Sequence, residues 1–216
     1  MTLDNIGRKY QNDKADIHHQ FKDESYLDVY ETYFKKFEHE PVRFLELGVR
    51  DGSSFRIWDD YFTNEDKVLV GVDIQDHCKQ YEGGCVKVEI GSQADPKLMK
   101  SIIDKYGPFH IILDDASHIN DLSIASFELL QHAVIPGGYY IIEDLRNSYE
   151  DLTQAAMQWP GMNDCLNAHT NSVSFNNAAT RPKLDALFHK VIRDLDYRCS
   201  DFRAVHFHSQ LVVLEK

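Results

Sequence analysis

Two stretches of this 216-residue chain hold residue types that can do chemistry. The first is Asp114-Asp115-Ala116-Ser117-His118, joined later by Glu143-Asp144. Each acid pair closes a short apolar run. If those runs are neighbouring parallel strands, their ends lie about 4.8 Å apart, and Asp115, Glu143 and Asp144 converge. Three carboxylates without a cysteine make a hard, all-oxygen set that suits Mg²⁺ better than Zn²⁺. His118 follows Asp115 by three residues, close enough to stand beside such an ion. A neutral imidazole there takes a proton from a hydroxyl at neutral pH. The competing reading is that the acids cap helices and His118 is an ordinary loop residue.

The second stretch is Glu46-Leu-Gly48-Val-Arg-Asp-Gly52-Ser53-Ser54. Gly48 permits a tight turn after a strand, and Gly52 lets a ligand approach the backbone. The helix that follows offers free N–H groups at its start. Only two of the three glycines of G-x-G-x-x-G are present. The spacing fits E-x-G-x-x-x-G better, the pattern of class I S-adenosylmethionine (AdoMet) methyltransferases. Asp73 ends the next apolar run, where a carboxylate accepts both ribose hydroxyls. Gly91-Ser92-Gln93 follows the third. The candidate cofactor-binding residues are therefore Glu46, Gly48, Gly52, Ser53, Asp73, Ser92, Gln93 and Asp114.

These groups need a scaffold. Five apolar runs end in acids: VRFLE at Glu46, KVLVGVD at Asp73, CVKVE at Glu89, FHIILDD at Asp114 and Asp115, and GGYYIIED at Glu143 and Asp144. Runs of about five apolar residues read as parallel strands buried on both faces. Helical patterns alternate with them over 54–61, from Asp95-Pro96, and over 120–134, the last stopped by Pro136-Gly137-Gly138. Residues 23–38 form an earlier amphipathic helix, capped by Asp23 or Ser25, whose aromatic stripe (Tyr26, Tyr30, Tyr33, Phe34, Phe37) reads as packing. Residues 151–181 read as loop-rich, and 182–195 as helical. FRAVHFH and QLVVLEK form an antiparallel hairpin turning at Ser209 and Gln210. The expected fold is α/β: a doubly wound, mostly parallel sheet of five strands with a C-terminal hairpin, as one domain over 1–216. Ligands in such sheets sit beyond the carboxyl ends of the strands, where the strand order reverses.

Composition narrows the function. Acidic residues outnumber basic ones 35 to 23, a net charge of −12, which argues against nucleic acid or an anionic membrane as partner. A hydrophobic fraction of 43% excludes a disordered chain. The opening residues lack the apolar core of a secretory signal, and no run approaches the roughly 18 apolar residues of a membrane span. Cys78, Cys85, Cys165 and Cys199 form no C-x-x-C pair and read as reduced thiols. A cytoplasmic protein is expected.

The motifs IILDDASH (111–118) and GGYYIIEDL (137–145) resemble the IIxDDGSH and GGxYxIEDL signatures of metal-dependent sugar O-methyltransferases of the macrolide and tetracenomycin type. The opening KYQNDKADIHHQF is similar to that family's K-x-G-T-D-K…H-x-Y element, with Gln11-Asn12 where Gly-Thr is usual. Ala116 stands where the signature has Gly. HFHSQLVVLEK resembles the family's terminal strand. The resemblance spans most of the chain except about 150–195. It implies AdoMet and Mg²⁺ as cofactors, Asp115, Glu143 and Asp144 as metal ligands, and His118 as the base. The substrate would be a sugar or glycoside, with residues 1–22 as an arm or lid, 150–181 as the substrate region, and room for a homo-oligomer. A catechol-like phenol would bind the same ion through adjacent oxygens. A nicotinamide-dependent reductase is disfavoured, because Tyr106 has no lysine four residues on. A nonenzymatic nucleotide-binding module is disfavoured by the intact acids and His118. His206 and His208 share a strand face and read as hydrogen-bonded rather than metal-binding. His18 and His19 fall in the arm. Trp58 and Trp159 read as core and loop anchors.

Overall fold

The computed structural model of the chain describes residues 1–15, 24–158, 160–169 and 173–216. His18, His19, Asp23 and Trp159 lie outside them. The parallel strands are β1 (Arg43–Leu47), β2 (Val68–Asp73), β3 (Val86–Ile90), β4 (Phe109–Asp114) and β5 (Val134–Ile142). β6 (Ala204–His208) and β7 (Leu211–Glu215) complete one seven-stranded sheet in the order β3-β2-β1-β4-β5-β7-β6. β7 runs antiparallel to both β5 and β6, and Gln210 takes a positive φ of 65° in the turn between β6 and β7. The sheet is thus doubly wound and mostly parallel, with a C-terminal antiparallel hairpin.

Alternation along each strand divides the core. Phe44, Leu69, Ile111, Leu113 and Ile141 face α1 (Leu3–Lys9), α2 (Tyr26–Phe34) and α3 (Ser53–Tyr61). Leu45, Val70, Ile112, Tyr140 and Val212 face α4 (Pro96–Tyr106), α5 (Asn120–Leu130) and α8 (Asn177–Asp196). Apolar side chains on both faces explain why the strands read as unbroken apolar runs. Asp95 caps α4, accepting from the Lys97 and Leu98 amides, with Pro96 inside the first turn.

Four local readings change. The helix expected over 23–38 is α2 followed by a 3₁₀ turn at Lys35–Phe37, because Ser25 closes a capping box with Asp28. The helix expected to reach residue 134 stops at Leu130, followed by a 3₁₀ turn at Gln131–Ala133. Pro136-Gly137-Gly138 does not stop it. Instead it bulges within β5, where the pairing with β4 skips from Val134 to Tyr139 and Gly137 takes a φ of 78°. The stretch read as loop-rich holds α6 (Thr153–Gln158) and α7 (Pro160–His169), with Pro160 at the position where a missing N–H costs nothing. α8 begins at Asn177 rather than 182, because the Asn176 side chain accepts from the Ala179 amide, and the helix carries Pro182 inside it.

All four cysteines are free thiols. Among the described residues no helix is long and apolar enough to cross a membrane.

The Ser25 hydroxyl also lies 2.9 Å from Asp4 Oδ1, tying α1 to α2. Replacing it, Ser25→Ala, is expected to cost about 1–2 kcal/mol, read as a lower urea midpoint with an unchanged denaturant slope.

Candidate active site

Strand order reverses between β1 and β4, and the loops leaving these two strands open a cavity of about 1100 Å³. Gly48 makes the first turn at a φ of 97°, and a Cβ there would sit 2.2 Å from the Asp115 carbonyl oxygen. Only glycine lets the two loops approach so closely. Past it, the Val49 and Arg50 amides each donate to Asp73 Oδ2 at 2.9 Å, and the Gln75 amide donates to Oδ1 at 2.9 Å. Asp73 therefore organises the glycine loop while lining the cavity. Gly52, Ser53, Ser92 and Gln93 stand near it: Ser53 Oγ accepts from Asn12 Nδ2, and Ser92 Oγ lies 2.9 Å from His169 Nε2 on α7. Gly48, Ser53, Ser92 and Gln93 line the cavity with Asp73. Gly52 forms the left-handed cap of α3, with its Cα hydrogen side closed by the Tyr81 ring.

Two of the expected cofactor contacts lie elsewhere. Glu46 is fully buried on the α3 side of β1, where its Oε2 accepts from Ser54 Oγ (2.8 Å) and Trp58 Nε1 (2.9 Å). Side chains alternate along a strand, so the acid one residue before Leu47 points into the core rather than off the end. Burial, only partly opposed by Lys14, pushes its carboxyl up to about 7. Asp114 is likewise buried on the other face, accepting from Ser126 Oγ (2.7 Å) and Gln93 Nε2 (3.1 Å), and burial pushes it up to about 6. Glu89 also points aside, toward Lys105 and Tyr106.

Across the cavity, β4 and β5 deliver the second constellation. Asp115, His118 and Asp144 each offer a ligand atom, all within 4.8 Å of one another. His118 Nε2 lies 3.4 Å from Asp144 Oδ2 and 3.9 Å from Asp115 Oδ1. Glu143 borders the same cavity outside this trio and shares Lys14 Nζ with Asp115. Its carboxylate accepts two hydrogen bonds from Lys14 Nζ, at 2.7 and 2.9 Å, and one from the Tyr30 hydroxyl. Ala116 keeps a negative φ, and the left-handed geometry falls on His118 instead, at 54°, and on Asp144, also at 54°.

Sequence reasoning missed three residues here. Lys14, buried, also pairs with Asp115. Burial disfavours its ammonium, but Asp115, Glu143 and Glu46 outweigh that and hold its pKa well above the ordinary lysine value. Burial and Asp115 push Glu143 upward against the pull of Lys14, the mark of carboxylates sharing too little positive charge. The stripe of α2 is more than packing: Tyr26 donates to Asp144 Oδ1 at 2.9 Å, and Tyr30 to Glu143. Burial first, then these acids, raise both phenols, so they remain donors. Their i, i+4 spacing was the available signal. Trp58 is core, as read. His208 Nε2 lies 2.7 Å from the Tyr33 hydroxyl and His206 Nε2 3.6 Å from Glu215, with no metal cluster there among the described residues.

With this geometry in view, comparison with known proteins is informative. No family model matches the chain. Demethylmacrocin O-methyltransferase of Streptomyces fradiae is 36% identical over 139 residues, covering 61% of this chain and 32% of that protein. The 8-demethyl-8-alpha-L-rhamnosyl tetracenomycin-C 2'-O-methyltransferase of Streptomyces olivaceus is 29% identical over 227 aligned positions, 99% of this chain and 54% of its own length. Its relatives are sugar O-methyltransferases of the macrolide and tetracenomycin type. The fold agrees with theirs: MycE methyltransferase from the mycinamycin biosynthetic pathway, solved in complex with Mg and SAH, superposes with a TM-score of 0.76 at 26% identity, over 100% of this chain and 55% of MycE. The chain spans about half the length, or less, of the curated methyltransferases it matches.

Two outcomes are expected from this electrostatic arrangement. Lys14→Met keeps the aliphatic stem but strands Glu143, and should cost about 3–5 kcal/mol, measured by urea unfolding near pH 8. Glu46, raised to about 7, favours folding while protonated, and that contribution is lost as pH rises from the unfolded value through about 7. In chelator, Glu46→Gln should therefore gain on the parent between pH 5 and pH 8, by roughly 2–3 kcal/mol. A constant difference across that range would show that Glu46 titrates normally.

Proposed function

We propose that the chain is an AdoMet- and Mg²⁺-dependent O-methyltransferase acting on a hydroxyl of a sugar or glycosylated small molecule. One observation carries this reading: a single cavity joins the glycine loop and Asp73 to the Asp115, His118 and Asp144 cluster. A cofactor site and a proton-handling site thus face the same space. The relatives' names support the sugar hydroxyl, since they are O-methyltransferases of rhamnosyl, olivosyl and macrolide compounds.

The residues fit both cofactors. The loop at Gly48 lines the cavity, and Asp73 adds acceptor capacity for ribose hydroxyls beside Ser92 and Gln93. AdoMet supplies a methyl group on a sulfonium, which carries its own driving force. Alignment of the acceptor is therefore the protein's main task. Asp115 and Asp144 present hard oxygen ligands, with Glu143 behind them under excess negative charge, a donor set for Mg²⁺. The chemistry Mg²⁺ supplies is to lower the pKa of an acceptor hydroxyl. His118 Nε2 faces the same carboxylates and takes the hydroxyl proton. Tyr26 holds Asp144 in orientation, and Lys14 and Tyr30 hold Glu143. The roof of α6 and α7 helps exclude water, with Asp164 accepting from Gln75 Nε2 at 3.0 Å.

The test is turnover of a panel of rhamnosides, macrolide glycosides and catechols with AdoMet, read by product mass. Methylated glycoside is expected, lost in EDTA and restored by Mg²⁺. Under saturating substrate, His118→Ala should lower kcat by about 10²–10⁴-fold while AdoMet affinity stays at the parent value. Divalent-cation affinity within about threefold of the parent separates a base from a third ligand. Full turnover in chelator, or methylation of catechols alone, overturns the proposal.

A further inference from the structure

His118 and Asp144 both hold left-handed backbone although neither is glycine. α5 begins directly after His118, and its N-cap, Ile119, has no side chain to offer the free amides of the first turn. The missing partner comes from another helix. Asn177, the first residue of α8, is fully buried and uses its whole amide. Its Nδ2 donates to the His118 carbonyl at 2.7 Å and to the Asn147 carbonyl at 2.9 Å. Its Oδ1 accepts from the Asn120 amide at 3.0 Å. One side chain therefore grips the loop after β4, the loop after β5 and the start of α5 together.

We infer that Asn177 is a positioning residue that sets His118 against Asp144, resting for its catalytic consequence on the methyltransferase reading above. A buried amide with both donors and its acceptor engaged has one low-energy placement; losing it strips the His118 carbonyl and the Asn120 amide of their partner and leaves the Asn147 carbonyl only the Glu150 amide, at 3.1 Å. Among the described residues no other side chain bonds both the His118 and the Asn147 carbonyls. The rest of the network touches neither His118 nor Asp144: Asn120 Nδ2 donates to Thr180 Oγ1 at 3.2 Å and to the carbonyls of Ser148 and Asn177.

The experiment compares Asn177→Ala with Thr180→Val, a control that removes one hydrogen bond of the same buried network and touches neither His118 nor Asp144. Where the alanine variant does not fold, Asn177→Ser serves instead. Hydrogen–deuterium exchange is read on peptides covering 115–120 and 144–149, and Mn²⁺ affinity and AdoMet affinity by calorimetry. Asn177→Ala should speed exchange in both peptides and weaken Mn²⁺ binding at least tenfold, lowering kcat by a similar factor with AdoMet affinity unchanged. Thr180→Val should lower the melting temperature and leave all of these at parent values. Unchanged exchange in both loops of the Asn177 variant, or equal loosening by Thr180→Val, overturns the inference. Faster exchange in a protein whose parent binds no Mn²⁺ supports the positioning role and overturns the methyltransferase reading instead.

Discussion

The structure depends on the repulsion among carboxylates gathered at one edge of the sheet. Strands β4 and β5 end side by side, and their terminal acids arrive within a few ångströms because the ladder spacing allows nothing else. Charges so close resist ionising together. The fold answers with a buried ammonium, Lys14, and with two phenols, Tyr26 and Tyr30, each aimed at one acid. α1 and α2 pack over this edge of the sheet partly because their polar groups are needed there. The N-terminal segment is consequently part of the candidate site: Asn12 meets Ser53, Asp13 meets Arg50, and Lys14 meets the acids.

The same edge separates two kinds of acid. Asp73 at the end of β2, and Asp115 and Asp144 beyond β4 and β5, line the cavity. Glu46 and Asp114 turn into the two faces of the sheet, where burial raises both carboxyls, and they act as hydrogen-bonding groups in the core. Glu46 anchors Ser54 and Trp58 of α3, and Asp114 anchors Ser126 of α5. Both therefore influence the site through the helices that follow the loops. Glu46 retains one oxygen, Oε1, without a hydrogen-bond partner, which accords with the protonated form.

Much of this was legible in the residues. Apolar runs closed by acids led to the parallel strands, and Gly48 announced the tight loop at the sheet's reversal. The terminal hairpin followed from two alternating runs with a polar turn. Strand parity was the information neglected for Glu46, which precedes the last residue of β1 and so faces the core. Lys14 was hidden by distance, since its partner Asp115 lies 101 residues away and nothing local marks the pairing. Asn177 was hidden for the same reason, and α6 and α7 because their polar composition lacks a clear apolar period. The tyrosine hydroxyls were overlooked because their rings do belong to the core; each side chain is apolar along its body and polar at its tip.

The hairpin has a bearing on how this architecture can diversify. The Gln210 carbonyl in its turn accepts from the Leu145 amide at 2.7 Å, directly after Asp144, so the hairpin supports the acid-bearing loop from below. An inserted or deleted residue in that turn would shift the register of β7 and carry the displacement straight to Asp144. The segment of α6 and α7 carries no such obligation to the acids, and its length and side chains can change while the charged centre keeps its shape. The roof of the cavity can thus be rebuilt with the floor held constant.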